Sequence, residues 1–122
     1  MNSSKVSILI VDDDLQLLKA LADMFLLLGF RVQTAENGLQ AWGKIQEMSF
    51  DLVLSDVRME QGSGVELLKK SKARNPDNPK FLLISGYADF ALDDLYAMGV
   101  DGFFAKPFSA STIRQAIQEN LL

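Results

Sequence analysis

Polar side chains that could bind a divalent cation or a phosphoryl group follow four apolar segments of the chain, each at the point where the segment ends. Asp12 and Asp13 follow the first segment, and Asp56, Ser85 and Lys106 end the others. Carboxylate oxygens are the ligands that Mg²⁺ prefers. A lysine ammonium and a serine hydroxyl suit phosphoryl oxygens, and an aspartate can itself accept a phosphoryl group. These residue types predict Mg²⁺-dependent phosphoryl transfer to an aspartate, provided that the fold brings them together.

The apolar segments have the length and pattern of β-strands. From Val6 to Val11, five of six residues are apolar, which is typical of a strand buried on both faces of a parallel sheet. The segment Phe30–Ala35 alternates between apolar and polar residues. It alone looks half-exposed, so we expect it at an edge of the sheet. Further strands are predicted at Asp51–Asp56, Phe81–Ile84 and Gly102–Ala105.

Amphipathic helices separate the predicted strands. Each shows an apolar stripe at the spacing of an α-helix. Asp14 and Ser109 are suited to cap the first and last helices, and Gly29 and Gly99 to close the first and fourth. The stripes of the first, second, fourth and last helices comprise Leu18, Leu21, Ala22, Phe25 and Leu28; Ala41, Ile45 and Met48; Ala91, Leu95 and Met98; and Ile113, Ala116, Ile117 and Leu121.

Strands and helices therefore alternate along the whole chain, which implies parallel strands joined by right-handed crossovers. The predicted fold is α/β, a three-layer (α/β/α) doubly wound sandwich around a five-stranded parallel sheet. Parallel strands bring their carboxyl ends to one edge of the sheet, which is where ligands bind in open α/β folds. We therefore expect the polar strand-end residues to converge there.

Composition limits the function. The 122 residues suit one domain, 1–122, and the net charge of −4 argues against a nucleic-acid-binding face. The chain has no cysteine and no histidine, which excludes disulfides, thiolate zinc sites and histidine-based catalysis. The first apolar run is too short for a membrane span and lacks a cleavage pattern, so we expect a cytoplasmic protein without membrane contact.

In these features the chain resembles the receiver (REC) domain of bacterial two-component response regulators over essentially its whole length. Within that family it is similar to the chemotaxis regulators. The resemblance rests on Ile10–Asp14, Asp51–Asp56, Leu83–Gly86 and Phe104–Phe108. Each segment is a weak signal alone, but their order and spacing are specific. The resemblance implies a flavodoxin-like sheet with strand order 2-1-3-4-5.

The resemblance also implies how the acids would act. Asp56 would be the phosphoacceptor. Asp13 and Asp56 would bind Mg²⁺ directly, together with the backbone carbonyl of Arg58, and Asp12 would act mainly through water.

Other residues would bind the phosphoryl group or respond to phosphorylation by changing conformation. Ser85 would bind a phosphoryl oxygen, and Lys106 would contact phosphate and carboxylate. Phe103 occupies the position of the family's aromatic switch residue. It could equally be an ordinary residue of the apolar core. Arg58 and Tyr87, each two residues past a site residue, are predicted to flank the path of attacking water and to set the dephosphorylation rate.

The implied partners are those of a signalling relay. A sensor histidine kinase or histidine phosphotransfer protein would supply the phosphoryl group. A downstream effector protein or domain would read the face formed by helix 4, strand 5 and helix 5. Such a domain assists its own phosphorylation and dephosphorylation, and is not a turnover enzyme on external substrates.

One departure from the family's pattern falls beside the site. The loop after the phosphoacceptor usually contains a proline after its methionine, whereas here Met59 is followed by Glu60. We expect the change to loosen the loop and to add negative charge near the cation.

Three other interpretations remain open at this point. Asp13 and Asp14 could simply cap the first helix. A non-phosphorylated docking module would lack an acid or the lysine, and this sequence lacks none of them. A phosphatase with an aspartate nucleophile would use the pair Asp12 and Asp14, but the chain has no room for a cap domain and no later acidic pair.

Overall fold

In the computed structural model, five strands and five helices alternate along the described part of the chain, as the sequence predicts. The structure describes residues 6–57, 59, 61–85, 92–105 and 109–121, with only the backbone at 85, 92, 93, 95, 110 and 121. In chain order the elements are β1 (Ser7–Val11), α1 (Leu15–Leu27), β2 (Arg31–Ala35), α2 (Gly38–Glu47), β3 (Leu52–Asp56), α3 (Gly64–Arg74), β4 (Lys80–Ser85), α4 (Leu92–Ala97), β5 (Gly102–Ala105) and α5 (Ala110–Leu121).

The strands form one parallel sheet in the order β2-β1-β3-β4-β5, which confirms the expected strand order. Chain order reverses at β1, so the crevice beyond the ends of β1 and β3 is the place where open α/β sheets bind ligands. In the register, Val11 of β1 lies opposite Ser55 of β3. Asp56 lies opposite Ile84 of β4, and Ser85 opposite Ala105 of β5.

The side chains of alternate strand residues belong to two apolar clusters, one on each face of the sheet. On one face, Leu9 and Val53 of the central strands belong to a cluster with side chains of α2 and α3. On the other face, Ile10 and Leu54 belong to a cluster with side chains of α1 and α5. Because β1, β3 and β4 are covered on both faces, they read as continuous apolar runs rather than as alternating ones.

The residues predicted to cap or end the helices do so where the structure describes them. Asp14 Oδ1 accepts hydrogen bonds from the backbone of Gln16 and Leu17, each at 3.2 Å, at the start of α1. Ser109 Oγ accepts one from the Thr112 amide at 3.2 Å at the start of α5. Gly29 adopts a φ of 93° just after α1, which is the left-handed conformation that favours glycine at a helix end.

Two expectations about exposure were wrong. β2 lies at a sheet edge and is half-exposed, as predicted, but β5 is half-exposed too, with no fully buried residue. An open sheet has two edges. The adjacent residues Phe103 and Phe104 made the strand at the second edge look fully buried in the sequence. Met48 was assigned to the buried stripe of α2, but it follows the helix and is 39% exposed.

Among the described residues, no helix is long and apolar enough to cross a membrane. The stripe residue Ala91 lies outside the described residues, and the side chains of Leu95 and Leu121 are not described.

A half-buried ion pair fixes the end of the sheet opposite to the acids. Lys72 Nζ of α3 lies 2.8 Å from Asp101 Oδ2, just before β5, and the two side chains are 10% and 21% exposed. Asp101 Oδ2 also accepts a hydrogen bond of 2.7 Å from the backbone of Phe81 in β4. One carboxylate therefore ties α3, β4 and the entry to β5 together.

We predict that Asp101→Ala lowers the free energy of unfolding by about 2 kcal/mol, because the buried amide of Phe81 loses its acceptor and the half-buried ammonium of Lys72 loses its counterion, keeping only the carbonyls of Pro76 and Pro79. Urea denaturation followed by circular dichroism measures the change. Asp77→Ala, at an exposed loop position, is the control and should shift the value by less than about 0.5 kcal/mol. Equal stabilities for the two variants would contradict the role given to this ion pair.

Candidate functional site

Three carboxylates converge beyond the ends of β1 and β3. Asp12, Asp13 and Asp56 each contribute one oxygen to a group in which all three atoms lie within 4.8 Å of one another. The register explains this proximity, since Val11 and Ser55, which directly precede Asp12 and Asp56, are opposite each other. Asp12 is fully buried, Asp56 is 8% exposed, and Asp13 is exposed to solvent.

The repulsion within this cluster gives it a preference for a cation. Two unit charges 4.8 Å apart repel by about 3 kcal/mol at an effective dielectric constant near 20. A divalent cation replaces this repulsion with attraction. Two oxygens on opposite sides of one Mg²⁺ are about 4.2 Å apart, so the cluster needs only small side-chain rotations or a bridging water to surround the ion. The donor set therefore fits Mg²⁺.

Backbone contacts hold the buried acid of β1 in place. Asp12 Oδ1 accepts a hydrogen bond of 2.9 Å from the amide of Asp14, and its own amide donates to the carbonyl of Ala35 at 3.2 Å. Because Asp14 caps α1, only Asp12 and Asp13 of the three consecutive acids belong to the cluster. The interpretation of Asp13 as a mere cap is wrong, since Asp14 provides the cap.

The start of α3 lies directly against the backbone carbonyl of Asp56 at the end of β3. Ser55 Oγ donates a hydrogen bond of 2.9 Å to the carbonyl oxygen of Asp56. A Cβ placed on Gly64, the first residue of α3, would lie 2.0 Å from that same oxygen. Only glycine therefore allows α3 to begin so close to the strand end.

The strand ends beyond β3 are described in part. The backbone of Ser85 ends β4 beside Ala105 of β5, which places it at the same sheet edge as Asp56. Phe103 is half-buried and packs against the apolar cluster that includes residues of α2 and α3. This contact agrees with the core interpretation of Phe103 and leaves its role as a switch a prediction.

Four of the residues singled out from the sequence lie outside the described residues. They are Arg58, Glu60, Tyr87 and Lys106. Lys106 directly follows Ala105, the last residue of β5. The roles of these residues stay predictions.

The loop between β3 and α3 contains residues that the sequence interpretation missed. The carbonyls of Gln61 and Gly62 accept hydrogen bonds from the first amides of α2. These bonds oppose the loosening expected from the loss of proline at position 60. The available signal was the presence of glycine at 38 and 62, where a Cβ would meet the opposite backbone.

Comparison with known proteins agrees with this arrangement. A family model described as the response regulator receiver domain matches residues 8–118. The transcriptional regulatory protein ZraR of Klebsiella oxytoca is 37% identical over 123 residues, which cover 99% of this chain. The chain spans only 27% of the length of that relative.

Two solved structures share the fold. The response regulator protein TrrA from Thermotoga maritima, in complex with Mg(2+)-BeF, superposes with a TM-score of 0.86 at 28% identity, covering 95% of this chain and 99% of TrrA. A response regulator protein from Burkholderia pseudomallei with a phosphorylated aspartic acid, a calcium ion and citrate gives a TM-score of 0.85 at 26% identity, covering 95% of this chain and 68% of that one. With the family model matching nearly the whole chain, the protein belongs to the response regulator receiver domains of two-component signalling.

Proposed function

We propose that Asp56 is the phosphoacceptor of this receiver domain and that Mg²⁺ is its cofactor, bound by Asp13 and Asp56 directly and by Asp12 mainly through water. The observation that carries the proposal is the convergence of the three acids at one sheet edge. Mg²⁺ would also take the backbone carbonyl of Arg58. The aspartyl phosphate and the ions in the two similar structures support the assignment.

The chemistry required of the chain is nucleophilic substitution at phosphorus. A carboxylate oxygen of Asp56 attacks the phosphorus of a phosphohistidine on the donor, the O–P bond forms, the N–P bond breaks, and the imidazole leaves on the donor protein. When bound, Mg²⁺ supplies positive charge to the phosphoryl oxygens. Such transfers need positioning and charge stabilisation more than covalent assistance.

The charges around the site support this role. The three carboxylates carry three negative charges, and one Mg²⁺ with Lys106 would balance them. Transfer of a phosphoryl group adds roughly one further negative charge. Ser85 and Lys106 are the groups that we assign to the phosphoryl oxygens, because the ends of β4 and β5 lie at the edge that carries Asp56.

The output of the domain would be a change of its surface. Phosphorylation would draw Ser85 and the loop after β4 inward, Phe103 would follow, and the face of α4, β5 and α5 would change its population of conformers. We propose a sensor histidine kinase or histidine phosphotransfer protein as the donor and an effector protein or domain as the reader of that face. The domain acts on its own phosphoryl group, without external substrates, and we place it in the cytoplasm as a single domain spanning 1–122.

The acceptor assignment predicts that the wild-type chain gains one phosphoryl group from acetyl phosphate in the presence of Mg²⁺ and that Asp56→Asn gains none. Intact-mass spectrometry measures the labelling. Asp14→Asn is the matched control, because asparagine also caps a helix, and it should be labelled like the wild type. A folded, Mg²⁺-bound wild-type chain that stays unlabelled would overturn the proposal, and loss of labelling in Asp14→Asn would favour the phosphatase-like pair.

The metal assignment predicts that Asp13→Asn weakens Mg²⁺ binding about tenfold or more, since it removes a charged ligand from the site. Isothermal titration calorimetry measures the dissociation constant. Because Asp13 is exposed, the variant should remain folded. An affinity equal to that of the wild type would exclude Asp13 as a ligand.

The assignment of Arg58 and Tyr87 predicts that replacing both by alanine changes the half-life of the acyl phosphate several-fold, because the path of the attacking water changes. The decay of the phosphorylated mass after removal of acetyl phosphate gives the half-life. Lys69→Ala, at an exposed position of α3, serves as the control. An unchanged half-life in the double variant would refute the role of both residues.

A further inference from the structure

Helix α1 presents apolar side chains to solvent as well as to the core. Its inward side chains Leu18, Leu21 and Phe25 are buried. Leu15 and Leu27, the first and last residues of the helix, are exposed, and Leu27 is 88% exposed. Single exposed apolar side chains are common on soluble proteins, but α1 carries more than single ones.

Exposed apolar side chains of the chain are concentrated on this helix. Among the described residues, six large apolar side chains are exposed, and three of them, Leu15, Leu26 and Leu27, belong to α1. The other three are scattered, one in α2, one just after α2 and one in α4. Apolar side chains that gather on one exposed element mark an interaction surface.

The charges on the exposed side of α1 are arranged symmetrically between its apolar ends. Four exposed residues follow one another at intervals of four along the helix: Leu15, Lys19, Asp23 and Leu27. Residues four apart lie on one side of an α-helix, and we call this row the α1 outer face. Leu15 and Leu27 are each six residues from Leu21, and Lys19 and Asp23 are each two residues from it. The α1 outer face is therefore complementary to a copy of itself that runs in the opposite direction.

We propose that the α1 outer face binds a second copy of this chain, with the two α1 helices antiparallel. A two-fold axis that passes near Leu21 sets Leu15 of each copy against Leu27 of the other, and Lys19 of each against Asp23 of the other. Parallel helices would instead set like charges against each other at both positions, which is repulsive. The charge order of the α1 outer face therefore selects the antiparallel arrangement.

The association is expected to be weak. A contact between two helices of 13 residues lies at the small end of protein interfaces. Each copy also has a net charge of −4, which opposes association. Burial of the exposed leucines supplies the attraction, and the two Lys19–Asp23 pairs mainly fix the orientation, because exposed ion pairs contribute little free energy. The dimer should therefore form only at high protein concentration.

Sedimentation equilibrium of the wild-type chain between about 10 μM and 1 mM tests the association, and the apparent mass should rise from that of a monomer toward twice that value. Leu27→Ser should raise the dissociation constant about a hundredfold, because two leucines per dimer lose their burial. Leu39→Ser, at the exposed leucine of α2, is the matched control and should leave the constant unchanged. A wild type that stays monomeric throughout, or equal effects of the two variants, would overturn the proposal.

An exchange of charges tests the antiparallel pairing itself. Lys19→Glu makes both charged positions of the α1 outer face negative, and Asp23→Lys makes both positive. Each variant alone should associate about tenfold more weakly than the wild type. An equimolar mixture of the two should recover the wild-type association, because every facing pair then has opposite charges and the mixed dimer has the total charge of the wild-type dimer.

The doubly exchanged chain, K19E with D23K, should likewise associate as the wild type does. Both positions are exposed, so the variants should stay folded, and circular dichroism checks this. A surface meant for a different partner protein would give no recovery in the mixture. Folded single variants that associate like the wild type, or a mixture as weak as its components, would contradict the proposed pairing.

Discussion

The parallel pairing of β1 with β3 is the constraint on which the candidate site depends. It sets Val11 opposite Ser55, so the acids that follow these residues leave the sheet side by side. Apolar side chains bury both faces of the two strands, and this burial lets the fold tolerate a cluster of like charges at its edge. The repulsion among the acids gives this edge its preference for a cation, and the proposed cation would in turn make Asp56 a suitable phosphoryl acceptor.

One apolar cluster connects the surroundings of the site to the far edge of the sheet. Met59, Trp42 and Phe103 pack against the same group of buried residues, although they belong to the loop after β3, to α2 and to β5. Protein interiors are packed as densely as organic crystals, so a displaced side chain disturbs its neighbours. The proposed movement of Phe103 would therefore disturb side chains of this cluster, including those of α2, whose first amides are bonded to the loop after β3.

Much of this arrangement was predictable from the sequence because its signals are local. Apolar runs ending in acids predict buried parallel strands and the edge at which Asp12 and Asp56 meet, and Asp14 is recognisable as a cap. The exposure of β5 was not predictable, since two adjacent phenylalanines resemble a buried strand. The contact of Gly38 with Gly62 was not predictable either, because it depends on how two loops meet in the folded chain.

The central claim is that the adjacent acids Asp12 and Asp13 and the distant acid Asp56 form one divalent cation site around the proposed phosphoacceptor. Anomalous diffraction from a crystal grown with Mn²⁺, which prefers oxygen ligands as Mg²⁺ does, tests it most directly. The account predicts one strong peak within bonding distance of carboxylate oxygens of Asp13 and Asp56, with Asp12 nearby. A fully occupied Mn²⁺ ion bound elsewhere, with no peak between these acids, would contradict it.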